Sequence, residues 1–321
     1  MVRSGTVARV TLRDRLLALL VVAVWGANFV VIEWGLPGVP PLVFVALRFV
    51  VVAAAALLVP RPAVRWRDLA LVGAFMSVGQ FGLLYSALAV GMPPGLASLV
   101  LQIQAAFTVV IGVLVLREHA RRAQVLGVLL GLVGLAVVAL GRGGAVPPLA
   151  FGLTVAAAAC WASGNIAARR LQGVNGLSLT VWSGVFVPVP MLALALAVEG
   201  PTTVLHALTH LTWQAWASTA YTAVLASLFG YGVWNGLLSR HRAAEVAPFS
   251  LLVPVVGIST AWLLRGEQPT PLALVGGSLL VAGVAVATLR RLPAPGLSGP
   301  AARHAPARPG RRPRRSANRA G

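Results

Sequence analysis

The stretch GLASLVLQIQAAFTVVIG covers residues 95–112, and it is almost wholly apolar apart from two glutamines, Gln102 and Gln104. An apolar run of this length is typical of a helix that crosses a membrane. An amide side chain carries donors and acceptors that are costly to bury without partners. The two glutamines therefore predict polar contacts inside a helical membrane bundle.

The composition of the whole chain supports a membrane protein. Of the 321 residues, 58% are hydrophobic and only 10% are charged, whereas a soluble domain carries about 25% charged residues. The chain has no lysine, which excludes a Walker A loop and a pyridoxal phosphate Schiff base. The single cysteine, Cys160, excludes an intrachain disulfide, and the scattered histidines predict no metal site. We therefore expect no cofactor.

Apolar runs bounded by Arg, Pro and Gly predict ten transmembrane helices. Each covers about 18–25 residues, enough to cross about 30 Å of hydrocarbon. The predicted spans are 16–34, 41–59, 69–89, 95–116, 123–140, 149–168, 177–198, 214–238, 244–264 and 271–289. They leave no room for a soluble domain, so the expected fold class is an all-α integral membrane protein.

The arginines predict the orientation of the helices. With a cytoplasmic N-terminus, all but three of the 26 basic residues fall in cytoplasmic segments, as the positive-inside rule requires. The exceptions are Arg142 and Arg265 in outer loops and Arg48 within a span. We therefore expect a multi-pass protein whose N- and C-termini are both cytoplasmic.

Residues 291–321 form a tail rich in proline and arginine, which has almost nothing to bury and is expected to be disordered. A polybasic cytoplasmic tail can bind anionic lipid. The net charge of +19 therefore indicates membrane lipid as a partner, and it gives no reason to expect a nucleic acid.

The fifth and tenth predicted helices repeat one another, because residues 117–140 align with 265–289 and bring Glu118 opposite Glu267. The first and sixth predicted helices each place a tryptophan a few residues before an asparagine. The repeat unit is therefore five helices long. An odd number of helices gives the two copies opposite orientations, which is the inverted-repeat arrangement of secondary transporters.

Four segments carry a family resemblance, and together they are specific: WGANFVVIEWGLPGVPPLVFVALRF (25–49), GMPPGLASLVLQIQAAFTVVIG (91–112), WASGNI (161–166) and APFSLLVPVVG (247–257). They resemble the EamA family of the drug/metabolite transporter superfamily, and most closely its O-acetylserine/cysteine exporters. The resemblance implies two inverted EamA repeats, at 14–141 and 149–290, in the bacterial inner membrane. It also implies export of small amino-acid-related metabolites by alternating access.

One residue departs from the pattern of these exporters. They tend to carry lysine where this chain has Glu33, after the segment NFVVI. A reversed charge near the outer mouth would change which substrates are attracted. We therefore expect Glu33 to affect specificity.

The two glutamines are expected to have different roles. Two residues turn an α-helix by about 200°, so Gln102 and Gln104 cannot both line one cavity unless the helix is broken. Ser98 lies one turn before Gln102, and we expect Ser98 and Gln102 to face the substrate. Gln104 is expected to hydrogen-bond a neighbouring helix. In the alternative interpretation, both glutamines only join helices.

Aromatic and amide residues at symmetric positions extend the predicted substrate site. Trp25 shares a helix face with Asn28, and Trp161 shares one with Asn165. The further aromatic candidates are Tyr85, Tyr231 and Trp234. Packing pairs and interfacial aromatic belts are the alternative interpretations of these residues.

Arg48 is the only charge well inside a predicted span, about 10 Å from its outer end at 1.5 Å per residue. A charge there costs about 2.5 kcal/mol or more. A guanidinium at this depth predicts a binding site for a substrate carboxylate. Alternatively, Arg48 binds backbone carbonyls or Glu33 and stabilises the fold.

Prolines within the spans predict kinks, because they free backbone carbonyls. Pro248 and Pro254 interrupt the ninth predicted span and are candidate hinges for alternating access. Pro188 and Pro190 interrupt the seventh, where we expect a static kink. At the ends of two further helices, Glu118 and Glu267 are expected to cap or anchor rather than to carry protons.

A stripe of Gly127, Gly131 and Gly134 on the fifth predicted helix lets another helix approach closely. The partner is either a helix of the same bundle, matched by glycines in the tenth, or a second copy of the chain. The sequence favours packing within the bundle and leaves a homodimer possible.

Three other functions are weighed against export of small metabolites. The nine tryptophans and few charges also suit an exporter of broader amphipathic or drug-like compounds. A non-transporting membrane receptor also remains open. A membrane-embedded enzyme would need clustered carboxylates, a metal set or a nucleophile–base pair. The seven acidic residues are dispersed, so we expect no enzyme.

Overall fold

A computed structural model of the chain describes residues 11–117, 119–141, 146–171, 173–241 and 243–288, and these residues form helices without any strand. They belong to one unit that extends to residue 289. Glu118 and the basic tail, 291–321, lie outside the described residues, so their predicted roles stay predictions.

The first half of the chain supplies the helices α1 Leu12–Gly35, α2 Pro41–Leu57, α3 Trp66–Ala89, α4 Pro94–Leu116 and α5 Arg122–Gly141. The second half supplies α6 Pro148–Arg169, α7 Gly176–Val198, α8 Pro201–Thr209, α9 at 213–240, α10 at 243–265 and α11 Pro271–Thr288. Within the described residues, six helices are long and apolar enough to cross a membrane, namely α1 and α3 to α7. Shorter apolar helices occur at Pro41–Leu57, Phe249–Arg265 and Pro271–Ala287.

The sequence sets several helix starts directly. Thr11 caps α1, since its side chain accepts from Asp14 N while the Asp14 carboxylate accepts from the Thr11 backbone, a reciprocal capping box. Proline opens α2, α4, α6 and α8. At the first helical position the N–H that proline lacks would have had no partner within the helix, and the fixed φ of proline already matches helical geometry.

Two helices contain π-helical segments at corresponding places in the two halves. In α3 the segment is Ala74–Gly79, and in α9 it is Tyr221–Phe229. π-Helical turns are rare and occur frequently at functional sites. Both segments lie immediately before residues that line the internal cavity described below.

Helices α7 and α10 are irregular where prolines predicted interruptions. The first part of α7 ends at Gly184, and regular helix resumes at Pro188. In α10 a 3-10 segment, Ala247–Leu252, precedes the regular helix Val253–Arg265. Pro248 therefore lies within the interruption, and Pro254 lies in the first turn of the regular helix that follows it, where proline is tolerated. The predicted interruptions are confirmed for both helices, and the hinge role of α10 stays a prediction.

The two halves interlock through their first helices. α1 packs mainly against α9 and α10 of the second half, while α6 packs against α3 and α4 of the first. Trp25 Nε1 donates to the Ala226 carbonyl at 2.9 Å, and Ser218 Oγ donates to the Val31 carbonyl at 2.7 Å. Neither half therefore forms a separate bundle, because each lacks its own first helix.

The glycine stripe of α5 packs against α11. A Cβ built on Gly134 would lie 2.5 Å from Leu280 N and 2.6 Å from the Gly276 carbonyl oxygen, and one on Gly127 would lie 2.5 Å from the Gly283 carbonyl oxygen. Only glycine permits such a backbone approach. The stripe is thus used within the bundle and no longer argues for a homodimer.

Contacts between helix termini define two ends of the bundle. At one end, called here the basic end, α6 closes with Arg169 and the Asp14 carboxylate of α1 lies 3.5 Å from Arg240 of α9. At the other, called here the Glu33 end, the Glu33 carboxylate lies 2.6 Å from Arg265 Nη2. Sequential long helices therefore run in alternating directions, as a bundle of antiparallel spans requires.

Candidate substrate cavity

An internal cavity of about 530 Å³ lies among α1 to α4, α6, α7, α9 and α10, drawn from both halves. Helices α5 and α11 contribute nothing to its described lining. The predicted binding residues that line it are Trp25, Asn28, Arg48, Ser98, Gln102, Trp161, Asn165, Tyr231 and Trp234. The structure therefore brings together residues that lie far apart in the sequence.

Tyr85 is the predicted site residue that does not line the cavity. It is fully buried behind the lining, where its hydroxyl accepts a hydrogen bond from Arg48 Nη1 at 3.1 Å. Its ring meets those of Phe44 and Phe81 edge to face. Tyr85 can therefore position Arg48, but it cannot touch a ligand in this arrangement.

Arg48 lies at the buried part of the cavity and is only 2% exposed. Its Nε and Nη2 atoms donate to Ser227 Oγ at 3.2 and 2.9 Å, and its guanidinium carbon lies 4.0 Å from the centre of the Phe81 ring. A guanidinium has five N–H donors. These contacts fix its orientation and leave donors for a ligand.

No acidic residue in the described part of the chain balances the charge of Arg48. Among the described residues no carboxylate lies within ion-pair distance of it. The predicted alternative partner, Glu33, pairs with Arg265 instead. Because a buried cation without a counter-ion is costly, an anionic group on a ligand would be favoured beside Arg48.

Both glutamines of α4 line the cavity, so the prediction that only Gln102 faces it was wrong. The reason is a 3-10 segment, Leu101–Ile103, which interrupts the α-helix between Pro94–Val100 and Gln104–Leu116. A 3-10 helix has 3.0 residues per turn, so positions two apart diverge less than in an α-helix.

The other part of the prediction for Gln104 is confirmed. Gln104 Oε1 accepts from Asn165 Nδ2 of α6 at 3.0 Å, and Thr108 Oγ1 donates to the Gln104 carbonyl at 2.7 Å. Gln104 and Asn165 also border a second cavity of about 360 Å³ that reaches His119 and Arg169. This hydrogen bond thus lies where the two cavities meet.

Aromatic rings form one wall of the cavity. The Trp25 ring lies 5.3 Å from Tyr231 and 5.4 Å from Trp234, measured between centroids. Trp25 is fixed by its hydrogen bond to the carbonyl of Ala226, which precedes the Arg48 partner Ser227. The wall offers an apolar surface close to the buried cation.

Sequence reasoning missed several polar residues of the lining, among them Ser77, Gln80, Thr180, Ser183, Ser227 and Asn235. One signal was available in the repeat. Gln80 follows Trp66 at the same interval as Ser227 follows Trp213. These equivalent positions come directly after or within the two π-helical segments.

The cavity extends toward the basic end. Its lining is buried at Arg48, Ser98 and Ser227, and it is partly exposed at Ala168 and Gly176, which flank the connection between α6 and α7. No lining residue of α1 lies beyond Phe29 toward the Glu33 end. The cavity is therefore accessible from one end of the bundle.

The Glu33 end is held by contacts between the two halves. Glu33 pairs with Arg265, and the Glu267 carboxylate accepts from Gly95 N at 2.9 Å and Leu96 N at 3.1 Å. Glu267 thereby caps α4 of the other half, which confirms its predicted capping role. Burial raises the pKa of Glu267 above its usual value, and the two backbone donors oppose that shift.

The fold and the cavity together define a class of protein: a helical membrane protein of two interlocked repeats around a polar internal cavity. The EamA-like transporter family matches residues 15–140 and again residues 149–289. The chain belongs to this family, and it is therefore a transporter and not an enzyme.

Relatives with curated names cover nearly the whole transporter region. A probable amino-acid metabolite efflux pump of Salmonella typhimurium is 42% identical over 279 residues, which are 85% of this chain and 93% of that protein. Its namesake in Escherichia coli is 41% identical with the same coverage. A probable terminal-alkyne amino-acid exporter of Streptantibioticus cattleyicolor is 30% identical over 85% of this chain and 92% of its own length.

A solved crystal structure shares the fold. It aligns with a TM-score of 0.60 at 21% sequence identity, and the match covers 86% of this chain and 96% of the other. The likeness supports the arrangement of the helices.

Proposed function

We propose that this transporter exports small amino-acid-related metabolites, of the O-acetylserine and cysteine type, across the bacterial inner membrane by alternating access. The observation that carries the proposal is Arg48, a buried cation that lines a cavity between two repeats. Its partners among the described residues are two hydroxyls and the rings of Phe49 and Phe81. Such a cation suits the carboxylate that every amino acid carries. The names of the two relatives from Salmonella typhimurium and Escherichia coli point the same way.

The proposed topology has ten spans with both termini in the cytoplasm. Besides the six long helices it counts α2, α10 and α11, whose apolar lengths fall at the lower limit for a span. It also counts α9, which at 213–240 is long enough to cross. The nine-residue α8 is too short to cross. The arginine distribution assigns the basic end to the cytoplasm, so the cavity described above is open to the inside.

A second candidate function is export of larger amphipathic compounds. The aromatic wall of Trp25, Tyr231 and Trp234 favours it, because such rings bind apolar groups of many shapes. Arg48 favours the first candidate, because a neutral amphipathic compound would leave its charge without a partner.

The test is transport by the purified chain in proteoliposomes. Labelled O-acetylserine, cysteine and a panel of other amino acids are offered with and without a pH gradient. Saturable movement of one of them supports the proposal, and a response to the gradient reveals proton coupling. If a folded preparation moves none of them but moves amphipathic compounds, the second candidate replaces the first.

A further inference from the structure

Two buried amide oxygens in the cavity lack hydrogen-bond donors. Asn28 Oδ1 and Gln80 Oε1 accept no hydrogen bond from the part of the chain that the structure describes. Their residues are 8% and 3% exposed, and both line the cavity. A buried amide without a partner is rare in native structures and calls for an explanation.

Gln104 provides the contrast within the same lining. Its Oε1 atom accepts from Asn165, so it already has a donor from the protein. Asn28 and Gln80 are thus set apart from the amide that joins two helices. Both side chains line a space that a ligand can enter. The two oxygens are themselves covered, and a half-turn of each amide about its last side-chain bond would present the acceptor to that space.

Asn28 and Gln80 are linked to Arg48 through their neighbours. Gln80 precedes Phe81, whose ring supports the Arg48 guanidinium. Asn28 shares a helix face with Trp25, whose indole binds the carbonyl next to Ser227. The residues that carry the fixed cation and the two unpaired acceptors therefore line one cavity.

We propose that Asn28 and Gln80 bind the ammonium group of a zwitterionic amino acid whose carboxylate is held by Arg48. This inference rests on the proposed function and adds the residues that select for the amine. An ammonium group carries three N–H donors, which match the acceptors that the protein leaves unpaired. No aspartate or glutamate occurs in the described lining, so the amide oxygens are the acceptors available.

The same geometry selects the substrate side chain. Arg48 is the one charged residue among the described lining residues. A second charge on the substrate would therefore be buried without a partner, which is costly. The substrates are amino acids with uncharged side chains, which rest against the wall of Trp25, Tyr231 and Trp234.

The test compares two pairs of competitors against labelled O-acetylserine and labelled cysteine in proteoliposomes. Each pair differs only in the amine: O-acetylserine with 3-acetoxypropanoate, and cysteine with 3-mercaptopropanoate. The wild-type chain is expected to prefer the amine-bearing member about tenfold or more, as the loss of a hydrogen bond to a charged group predicts. Gln80→Met and Asn28→Leu should each raise the inhibition constant of the amino acid by about tenfold or more. The inhibition constant of its amine-free counterpart should change by no more than about twofold.

Two further variants keep the test decisive. Gln80→Glu retains an acceptor oxygen, so the preference for the amine should persist even if Gln80→Met fails to fold. Thr154→Val removes a buried hydroxyl that bonds within α6, away from the cavity, and should leave both competitors unchanged.

The possible failures are distinct. The inference is overturned if Gln80→Met and Asn28→Leu raise the inhibition constants of both members of a pair equally, or if Gln80→Glu no longer prefers the amine-bearing member. The transporter proposal stands in either case. If the wild-type chain transports no amino acid, the proposed function itself fails.

Discussion

At the scale of single residues, Arg48 shows how a buried charge is tolerated within a span. Two hydroxyls, from Tyr85 of α3 and Ser227 of α9, hold its guanidinium, and the Phe81 ring stacks against it. None of these partners carries a compensating charge. These contacts leave N–H donors of the guanidinium over, which fits the proposed role of Arg48 as a donor to a ligand.

Arg48→Gln should raise the half-saturating concentration of a transported amino acid by about 10- to 100-fold, because a charged hydrogen bond contributes about 1.5–3 kcal/mol. Arg48→Lys keeps the charge but loses the planar fork, and an intermediate effect is expected. Initial uptake rates over a concentration series check both values. Arg61→Gln, at an exposed arginine that stacks on Trp66, serves as the control. Equal uptake by wild type and Arg48→Gln would contradict a role in carboxylate binding.

Glu267 gives a prediction on stability and pH. Glu267→Ala removes both carboxylate oxygens that accept from the N-terminus of α4. It should lower the free energy of unfolding by about 0.5–2 kcal/mol, the usual cost of a lost cap. Glu267→Gln keeps one acceptor and should cost less. The measurement is the thermal unfolding midpoint in detergent.

The sign of the pH effect follows from the raised pKa of Glu267. A carboxyl group whose pKa is higher in the folded state contributes less stability as pH rises from its unfolded pKa through its folded one. The midpoint of the wild type should therefore fall relative to that of Glu267→Gln as pH rises from about 4 to about 7. A difference that grows in favour of the wild type would show that the backbone donors outweigh burial.

At the scale of helices, the local irregularities coincide with the cavity. The π-helical segments of α3 and α9, the 3-10 turn of α4 and the 3-10 segment of α10 all adjoin lining residues. The regular helices α5 and α11 stay outside the described lining and pack through glycine. The regular helices α5 and α11 thus pack against each other, whereas the irregular segments lie where polar side chains line the cavity.

Matched glycine substitutions test this division. Gly134→Ala places a Cβ against the backbone of α11 and should destabilise by about 1–3 kcal/mol, as overpacking does. Gly152→Ala in α6 meets open space, and it should be neutral or stabilise by up to about 1 kcal/mol, since alanine is the better helix former. Thermal unfolding in detergent compares the two. If Gly134→Ala is as stable as Gly152→Ala, the close approach of α5 and α11 is not required.

At the scale of the whole molecule, the exchange of first helices makes the two repeats one body around one cavity. The cavity reaches the basic end, and ion pairing and capping close the Glu33 end. In an alternating-access cycle the contacts at the Glu33 end would have to open. Glu33 pairs with Arg265 at this end, and its expected effect on specificity stays a prediction.

Breaking this pair should favour opening at the Glu33 end. In a Cys160→Ala, Gln102→Cys background, Glu33→Arg should speed labelling of the cavity cysteine by an impermeant thiol reagent from outside. An increase of about two- to fivefold is expected, because a partly exposed ion pair contributes at most about 1 kcal/mol. The double exchange Glu33→Arg, Arg265→Glu should restore the slower rate. Unchanged labelling in Glu33→Arg would mean that the pair does not hold the closed end.

The sequence by itself determined that this chain is a helical membrane protein, where most of its spans lie, that it repeats, and which residues to examine. These follow from hydrophobicity, helix length and charge placement, which act locally along the chain. Only the tertiary structure decided that Ser227 and Tyr85 hold Arg48, that Gln80 joins the site, that both glutamines of α4 face it and that Glu267 caps the other repeat. Those pairings join residues far apart in sequence, and they depend on how helices break and pack, which no local pattern encodes.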